Sequence, residues 1–375
     1  MKNKKESKMK YYSLKNILEK KARYNVIFGE RSNGKTYAVL EYGLKKYVEN
    51  GEELAIVRRW KEGFRGKRGQ TMFNSLVENG VVKELTGGKY DSVYYYSGKW
   101  YLATFDEKLQ KLVPAPNPFA YGFALSEMEH DKSTSYPNVT TICFDEFLTR
   151  QYYLPDEFVT FMNVVSTIVR LRNDVVIFML GNTVNKYCPY FKEMGLTHIT
   201  DMRKGNIDIY TYGDSGLTVA VEYADSPNKI FGKPSDVYFA FDNPKLEMIT
   251  GGAWEIAIYP HLPFKYKTHE IAFIYFIEFD GQLLQCEVVE SNDCAFTYIH
   301  RKTTPLKNPE SDIIYSMEYS PLPNHFRNIR KPRTKIEQRI SEFFLREKIF
   351  YQDNEVGEIV RNYIIQSTKS QFTKI

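Results

Sequence analysis

The sequence predicts an α/β domain built on a parallel sheet, followed by a smaller α+β domain. Short apolar segments alternate with helical patterns over the first part of the chain. These segments are apolar throughout rather than at every second position, which is typical of parallel strands covered on both faces. A stretch rich in proline and glycine follows. We therefore expect a first domain over residues 1–224, a linker over 225–253 and a second domain over 254–375.

Composition and charge narrow the class of protein. The chain has 375 residues, of which 43% are hydrophobic, as in ordinary globular proteins. Its formal net charge is +5, but residues 1–68 hold 19 of the 51 basic residues and only 8 of the 46 acidic ones. Such an uneven distribution of charge suits a polyanionic partner, although the first ten residues also read as a solvated lysine-rich tail.

No segment marks the chain for a membrane or for export. Its apolar runs fall far short of the roughly 18 residues that a membrane span needs. The N-terminus MKNKKESKMKYY is charged and lacks the apolar core of a signal peptide. The four cysteines form no CxxC pair, which argues against a disulfide framework and against a zinc site. We expect a cytosolic protein without membrane contact.

The first predicted strand, Tyr24–Phe28, leads into the strongest motif of the chain. Residues 29–36 read GERSNGKT, a complete GxxxxGK[ST] loop, and a helical pattern follows from about Lys35. Glycines let successive backbone N–H groups face a phosphate, and the start of the helix adds a favourable dipole. Lys35 is predicted to reach the β- and γ-phosphates of ATP, and the Thr36 hydroxyl to ligate Mg²⁺. The other loop residues predicted to bind the nucleotide are Gly29, Ser32, Asn33 and Gly34.

A second predicted strand, Leu54–Val57, is followed by a basic stretch that surrounds Trp60. This stretch either follows the phosphates of a nucleic acid or is a solvated loop. Farther along, residues 93–96 and 100–103 flank a Ser-Gly-Lys turn and predict a hairpin. The candidate DNA contacts in the basic stretch are Arg58, Arg59, Lys61, Arg65, Lys67 and Arg68.

A third apolar segment, Val139–Phe144, ends in two adjacent carboxylates, Asp145 and Glu146. After a P-loop, this is the expected second half of an ATPase. Asp145 fits the residue that holds the magnesium ion, and Glu146 fits the base that polarises the attacking water. Adjacent residues on a strand point to opposite faces, so the two carboxylates share a site only if the chain turns at Glu146.

The next helix and strand supply further polar candidates. Apolar residues at helical spacing predict a helix over about 158–169, which ends in Arg170 and Arg172. A cation there either acts on a neighbouring site or only stabilises the helix end. The strand Val175–Leu180 closes at Asn182, whose amide either contacts the γ-phosphate or simply ends the strand.

The second domain is predicted to pair a meander with two helices. Residues 271–279, 283–289 and 296–300 read as antiparallel strands, and helical patterns follow over about Lys335–Phe350 and Glu355–Gln366. No catalytic triad is evident among the acidic residues on or near the meander, so no DNA cleavage is expected. These residues are Glu278, Asp280, Glu287, Glu290 and Asp293.

The order of these motifs resembles the DNA encapsidation (packaging) ATPases of small podophages of the Picovirinae type. The resemblance rests on the GxRxxGK[ST] loop, with Arg31 at its third place, and on VRRWK at residues 57–61. It also rests on Lys132-Ser133 and on the block from YPNVTTI at 136–142 to FDEF. With Arg170-x-Arg172 and Asn182, it covers about residues 24–192, roughly half of the chain.

The resemblance implies a P-loop ATPase domain of the additional-strand catalytic-glutamate type and an RNase H-like C-terminal domain without nuclease activity. It implies ATP and Mg²⁺ as cofactors, a phosphate contact by Arg31, an arginine finger at Arg170 and a basic residue, Lys132, offered to the neighbouring active site. It further implies a homo-oligomeric ring, usually of five subunits, that drives double-stranded DNA into a procapsid. The implied partners include the portal vertex and a scaffold RNA, in the host cytoplasm and transiently on the procapsid rather than in the virion.

Three other functions remain open from the residues alone. The chain also suits another ring-forming P-loop DNA translocase or helicase. A monomeric P-loop kinase or a GTPase is a second alternative, but neither an acceptor-pocket motif nor an NKxD signature is seen. A non-catalytic scaffold is the third, and the joint presence of Lys35, Asp145 and Glu146 argues against it.

Overall fold

The computed structural model describes residues 12–31, 33–130, 135–183, 185–225, 257–291 and 294–368. The chain divides into two compact units, residues 1–255 and 256–375. The predicted linker lies almost entirely in 226–256, outside the described residues. Among the helices that are described, none is long and apolar enough to cross a membrane.

The first unit holds a ten-stranded sheet with the order β3-β4-β6-β2-β7-β8-β1-β10-β9, and β5 pairs with β4. Six adjacent strands of this sheet are mutually parallel, which confirms the predicted parallel sheet. They are β6, β2, β7, β8, β1 and β10. The strands are β1 Tyr24–Gly29, β2 Glu53–Arg58, β3 Ser92–Tyr96, β4 Lys99–Asp106, β5 Lys111–Pro114, β6 Ala120–Ala124, β7 Val139–Asp145, β8 Val176–Asn182, β9 Ile207–Tyr212 and β10 Leu217–Ala224. The helices are α1 Lys15–Leu18, α2 Lys35–Asn50, α3 Lys67–Gln70, α4 Asn74–Glu78, α5 Val81–Leu85, α6 Glu157–Val169 and α7 Pro189–Glu193.

Both faces of this sheet are buried. Val26 and Phe28 of β1 belong to one apolar cluster, which α6 joins through Phe161. Ile27, on the opposite face of the same strand, belongs to a second cluster that α2 joins through Leu44. Helices therefore cover the sheet from both sides, and the carboxyl edge of the strands is the place for a ligand site.

Strand register brings the predicted motifs to this edge. Gly29, the last residue of β1, is in register with Asn182 at the end of β8. Asp145, the last residue of β7, is in register with Leu180 on the other side of β8. The P-loop and the two strand ends are thus neighbours because of the strand order alone.

The second unit contains a six-stranded sheet with the order β15-β14-β11-β12-β13-β16. The predicted antiparallel meander is confirmed as β11, β12 and β13, and β14 adds in parallel to β11. The RNase H-like fold stays a prediction, because residues 302–312 connect β13 to β14 without a helix. The elements are β11 Ile271–Phe279, β12 Gln282–Glu290, β13 Ala295–Arg301, β14 Ile313–Ser316, β15 His325–Phe326, α8 Lys335–Leu345, β16 Ile349–Tyr351 and α9 Asn354–Ser367.

The first C-terminal helix is shorter than predicted. Helix α8 begins at a capping box in which Glu337 N donates to Thr334 Oγ1 over 3.3 Å. It ends at Leu345 rather than Phe350. Glu347 adopts φ +56°, which interrupts helical geometry, and Ile349–Tyr351 then pairs in parallel with β13. An apolar run that suits a helix face also suits a strand.

An ion pair in this meander predicts a pH-dependent stability. His300 Nε2 lies 3.3 Å from Glu287 Oε1. The hydrogen bond from His300 lowers the pKa of Glu287 to about 2, and the same bond raises the pKa of His300. The contribution of charged His300 is present below the ordinary histidine pKa and is lost as pH rises through its raised pKa. That of Glu287 is lost only as pH falls from its ordinary pKa toward about 2.

We therefore expect His300→Gln to destabilise the protein by about 1–2 kcal/mol near pH 5.5 and by much less at pH 9. Urea unfolding of both proteins at the two pH values measures this difference. His269→Gln, which changes an exposed histidine, serves as the control and is expected to show no such pH dependence. An equal loss at both pH values would mean that His300 contributes by packing on Tyr298 rather than by charge.

Candidate nucleotide-binding site

A cavity of about 970 Å³ opens at the carboxyl edge of β1, β2, β7 and β8. It collects the described residues 33–36 of the P-loop, the ends of β7 and β8, and part of the basic stretch. The predicted motifs, which are spread over 150 residues of sequence, therefore meet in one place. The lining residues used below are Asn33, Gly34, Lys35, Thr36, Arg58, Arg59, Trp60, Glu62, Arg68, Asp145, Glu146 and Asn182.

Lys35 is held at the start of α2 by three oxygen atoms. Its Nζ donates to Glu30 O at 2.6 Å, to Asn33 Oδ1 at 3.1 Å and to Asn182 Oδ1 at 3.4 Å. Burial lowers the pKa of Lys35 to about 8, against the opposing charges of Asp145 and Glu30. Among the described residues, Asn33 Nδ2 is buried and has no acceptor. A fixed ammonium beside an unsatisfied donor fits an anionic phosphate.

The loop needs glycine at two of its predicted positions. Gly34 precedes α2 with φ +93°, a conformation that L side chains rarely adopt. A Cβ on Gly29 would lie 2.7 Å from Ala224 O, so the first glycine lets the loop pass close to β10. Of the other predicted loop residues, Arg31 is exposed and does not line the cavity, and Ser32 lies outside the described residues.

Thr36 and Asp145 form the predicted metal pair. Thr36 Oγ1 donates to Asp145 Oδ1 at 2.9 Å, and the carboxylate is nearly buried. Arg58 Nη2 lies 2.6 Å from the other oxygen, Asp145 Oδ2. Hydroxyl and carboxylate oxygens are the ligands that Mg²⁺ prefers. The Asp145 carboxylate therefore already binds one positive group, the Arg58 guanidinium, and lies beside the Thr36 hydroxyl. The residues present fit a magnesium ion.

Glu146 turns the chain into the same cavity. Its φ of +61° is unusual for a residue other than glycine. The turn brings Glu146 to the cavity beside Asp145 and leaves it exposed, and the next N–H, that of Phe147, donates to Leu180 O at 3.1 Å. Both carboxylates therefore face one site, as the predicted turn requires. Strained backbone of this kind is common where a side chain must be aimed at a reacting group.

Two of the residues predicted to contact DNA are held by carboxylates of this chain. Arg59 is 6% exposed and donates from Nε and Nη2 to the Glu157 carboxylate at 2.7 and 2.8 Å. Its Nη2 also donates to Phe147 O at 2.7 Å, which fixes the chain after Glu146. Arg58 is engaged by Asp145 in the cavity. Both guanidinium groups are therefore occupied within the chain, and a DNA contact by either one stays a prediction.

Glu157 is the residue of this region that the sequence analysis missed. It is 3% exposed and accepts from Arg59, from the Tyr190 hydroxyl at 2.9 Å and from Leu154 N at 2.6 Å. The available signal was an acidic residue in the first turn of a helix that contains no other charged residue. A carboxylate there needs a buried cation as its partner.

Arg59→Met is expected to lower the free energy of unfolding by about 3–5 kcal/mol, because it leaves the Glu157 carboxylate buried and uncompensated. Lys61→Met removes a neighbouring exposed cation and is expected to change stability by no more than about 0.5 kcal/mol. Denaturant unfolding of the three proteins tests this. Unchanged stability in Arg59→Met together with weakened DNA binding would mean that Arg59 contacts DNA rather than stabilising the fold.

The remaining cations of the basic stretch lie at the surface. Lys61 pairs with Glu127 at 2.6 Å, and Arg65 lies 3.7 Å from Glu62. Lys67 and Arg68 are exposed. These four residues keep the DNA-contact prediction, since exposed ion pairs exchange partners at little cost.

Arg170 lies at the opposite edge of the sheet from the cavity. Its neighbour Arg172 donates to Val139 O at 2.6 Å, and Val139 is the first residue of β7, whereas the cavity lies where β7 ends. The seven residues of β7 span roughly 23 Å, farther than an arginine side chain extends. Arg170 is exposed, has φ +50° and cannot act on the site of its own chain. Lys132 lies outside the described residues.

Comparison with known proteins assigns the chain to a family. The family model described as Podovirus DNA encapsidation protein (Gp16) matches residues 6–226. The DNA packaging protein of Bacillus phage B103 is 29% identical over 183 residues, which are 48% of this chain and 50% of that protein. The DNA packaging protein of Bacillus phage phi29 is 29% identical over 186 residues, 48% of this chain and 49% of the relative. The chain thus matches about half the length of these relatives.

Two solved structures have a similar fold. A chain of the bacteriophage phi29 viral genome packaging motor assembly is 20% identical, with a TM-score of 0.55, and the match covers 96% of this chain and 99% of that one. A chain of the Phi-28 gp11 DNA packaging motor is 18% identical, with a TM-score of 0.51, covering 95% and 98%. Because the family model matches well over half of the residues, the chain belongs to the podovirus DNA encapsidation protein (Gp16) family.

Proposed function

We propose that this chain is the ATPase subunit of a viral motor that moves double-stranded DNA into a procapsid. The observation that carries the proposal is the hydrogen bond from Thr36 to Asp145 beside the buried Lys35 ammonium, with Glu146 on the same cavity. Family membership and the DNA packaging proteins of the Bacillus phages support the choice of DNA as the moved substrate.

The residues of the cavity suit ATP hydrolysis. Lys35 and the N–H groups at the start of α2 bind the phosphates, and Asn182 holds the Lys35 ammonium in place. Thr36 and Asp145 would hold Mg²⁺, which neutralises charge on the phosphates when it is bound. Glu146 orients the attacking water and accepts its proton on a carboxylate oxygen. Phosphoryl transfer requires that the reacting groups be positioned and that the developing charge be stabilised, and these residues supply both.

The proposal includes a shared active site in a homo-oligomeric ring. The distance of Arg170 from its own cavity favours action on a neighbouring subunit, and Lys132 is proposed to accompany it. The resemblance supports a ring of five subunits at the portal vertex of the procapsid, with a scaffold RNA as a further partner. Such a ring works in the host cytoplasm, is bound to the procapsid only while DNA enters, and is absent from the virion.

The test is ATP hydrolysis with and without long double-stranded DNA and procapsids. We expect turnover to require Mg²⁺, to rise when DNA and procapsids are added, and to disappear in Lys35→Ala. Fluorescently labelled DNA that becomes resistant to nuclease in the presence of procapsids measures packaging directly. DNA-independent turnover by a monomer, with phosphate transferred to a small acceptor, would favour a P-loop kinase instead.

Contact with DNA is predicted to be made by the exposed part of the basic stretch. Neutralising one of Lys61, Arg65, Lys67 or Arg68 should lower the slope of log affinity against log salt by about one if that residue contacts a phosphate. Lys45→Gln removes an exposed lysine of α2 and serves as the control. Binding to unrelated duplexes should be equal, because packaging must accept every sequence. An unchanged slope in all four variants would leave the stretch as a solvated loop.

A further inference from the structure

Arg58 occupies the carboxylate that the magnesium ion needs. It is the last residue of β2, and its Nη2 lies 2.6 Å from Asp145 Oδ2. The Thr36 hydroxyl takes the other oxygen, Asp145 Oδ1, at 2.9 Å. The two oxygens of Asp145 are therefore shared between the residue that would ligate the metal and a permanently charged guanidinium.

The rest of the Arg58 side chain is shaped by the short 3₁₀ turn Lys61–Phe64. A Cβ added to Gly63 would lie 2.7 Å from Arg58 Cδ, so the turn closes over the side chain only because residue 63 is glycine. Arg58 Nη1 lies 3.5 Å from Gly63 O, which is a weak contact. Among the described residues, Arg58 Nε is buried without an acceptor. The pair with Asp145 is thus the strong anchor of this side chain.

A guanidinium and a divalent cation repel each other, and a carboxylate oxygen satisfies only one of them well. We propose that Arg58 is a positioning residue that competes with Mg²⁺ for Asp145, and that its release on metal binding shifts the turn Lys61–Phe64. The inference rests on the proposed binding of ATP·Mg²⁺. It couples metal binding at Asp145 to the position of the turn Lys61–Phe64.

The turn that would move belongs to the basic stretch. Lys61 is its first residue, and Arg65 follows it directly. Binding of the metal would thereby move side chains that are proposed to contact the DNA backbone. One half-buried arginine links the two, without a change in the strands themselves.

The affinity for ADP tests the competition, because ADP is not consumed. The dissociation constant is measured in a chelator and in saturating Mg²⁺, and the ratio of the two gives the gain from the metal. In the native protein, Mg²⁺ must displace Arg58 from Asp145, which reduces the gain in ADP affinity. Arg58→Met is therefore expected to raise the ratio about tenfold, the range of a charge-assisted hydrogen bond. Lys45→Met, which removes an exposed cation of α2 that does not line the cavity, should leave the ratio within about twofold.

A second readout follows the turn itself. Amide hydrogen exchange in residues 61–66 of the native protein is expected to change when Mg²⁺ is added to the ADP-bound form. Arg58→Met should show the same exchange with and without Mg²⁺. Should Arg58→Met fail to fold, Arg58→Gln keeps a donor for Asp145 without the charge, and the exchange measurement on the native protein needs no variant.

The outcomes separate this inference from the ATPase proposal. An unchanged or lowered ratio in Arg58→Met, or no exchange change in the native turn, would overturn the competition while ADP binding stands. Absence of ADP binding by the native protein would instead overturn the proposed function.

Discussion

Arg170→Ala is expected to bind ATP·Mg²⁺ normally and to hydrolyse it roughly 10³–10⁵-fold more slowly in the proposed ring, if Arg170 acts as an arginine finger. The reason is that such a residue stabilises charge that develops only in the transition state. Arg170 sits where β7 begins, on the far edge of the sheet from its own cavity, so the loss can arise only at an interface. Steady-state hydrolysis and nucleotide affinity of the same preparation measure the two effects.

Mixing two inactive variants distinguishes a shared site from a helix-end cation. A Glu146→Gln subunit still offers Arg170, and an Arg170→Ala subunit still offers Glu146. Co-assembled rings should therefore regain part of the hydrolysis at mixed interfaces. Arg170→Lys, which keeps the charge but not the planar fork, is expected to recover little. If mixed rings form and hydrolyse no faster than either variant alone, Arg170 has only a structural role.

Glu146→Gln is expected to lower turnover by about 10²–10⁴-fold, the range for loss of a general base, with ATP·Mg²⁺ still bound. The amide keeps the size of the side chain and its place on the cavity, but it cannot accept a proton from water. Single-turnover hydrolysis alongside nucleotide binding measures this effect.

Glu62→Gln is the matched control, since Glu62 is an exposed glutamate that lines the same cavity. It is expected to hydrolyse ATP at a near-normal rate. Near-normal turnover in Glu146→Gln would assign the base to another residue. Equal losses in both variants would point to the overall charge of the cavity rather than to a proton acceptor.

The parts of the site that follow from local rules could be predicted. A Gly-rich loop between a strand and a helix specifies its own geometry, and an apolar strand that ends in carboxylates places them at the carboxyl edge of a parallel sheet. Thr36 and Asp145 are 109 residues apart, yet both lie at predicted element ends, and the structure joins them.

The partners of Arg58 and Arg59, at the end of β2, could not be predicted in the same way. Arg58 and Arg59 stand in a basic stretch that looks uniform, but their partners lie 87 and 98 residues away. Only the pairing of β2 with β7, and the docking of α6, decides which cations become buried. Strand β6 was missed for a related reason, because its short sequence AYGFA carries little strand signal without its parallel partner β2.

The place of β1 in the sheet determines when this strand acquires its neighbours during synthesis of the chain. β1 lies between β8 and β10, so the strand that carries the P-loop has neither neighbour until residues 176–182 and 217–224 have been made. At about 5–20 residues per second, roughly 10–40 s separate the appearance of Gly29 at the ribosome from that of Ala224. During this interval the nascent chain lacks one or both of the strands that flank β1. A chain truncated before β10 leaves one edge of the P-loop strand unpaired, and we expect it to be inert rather than partly active.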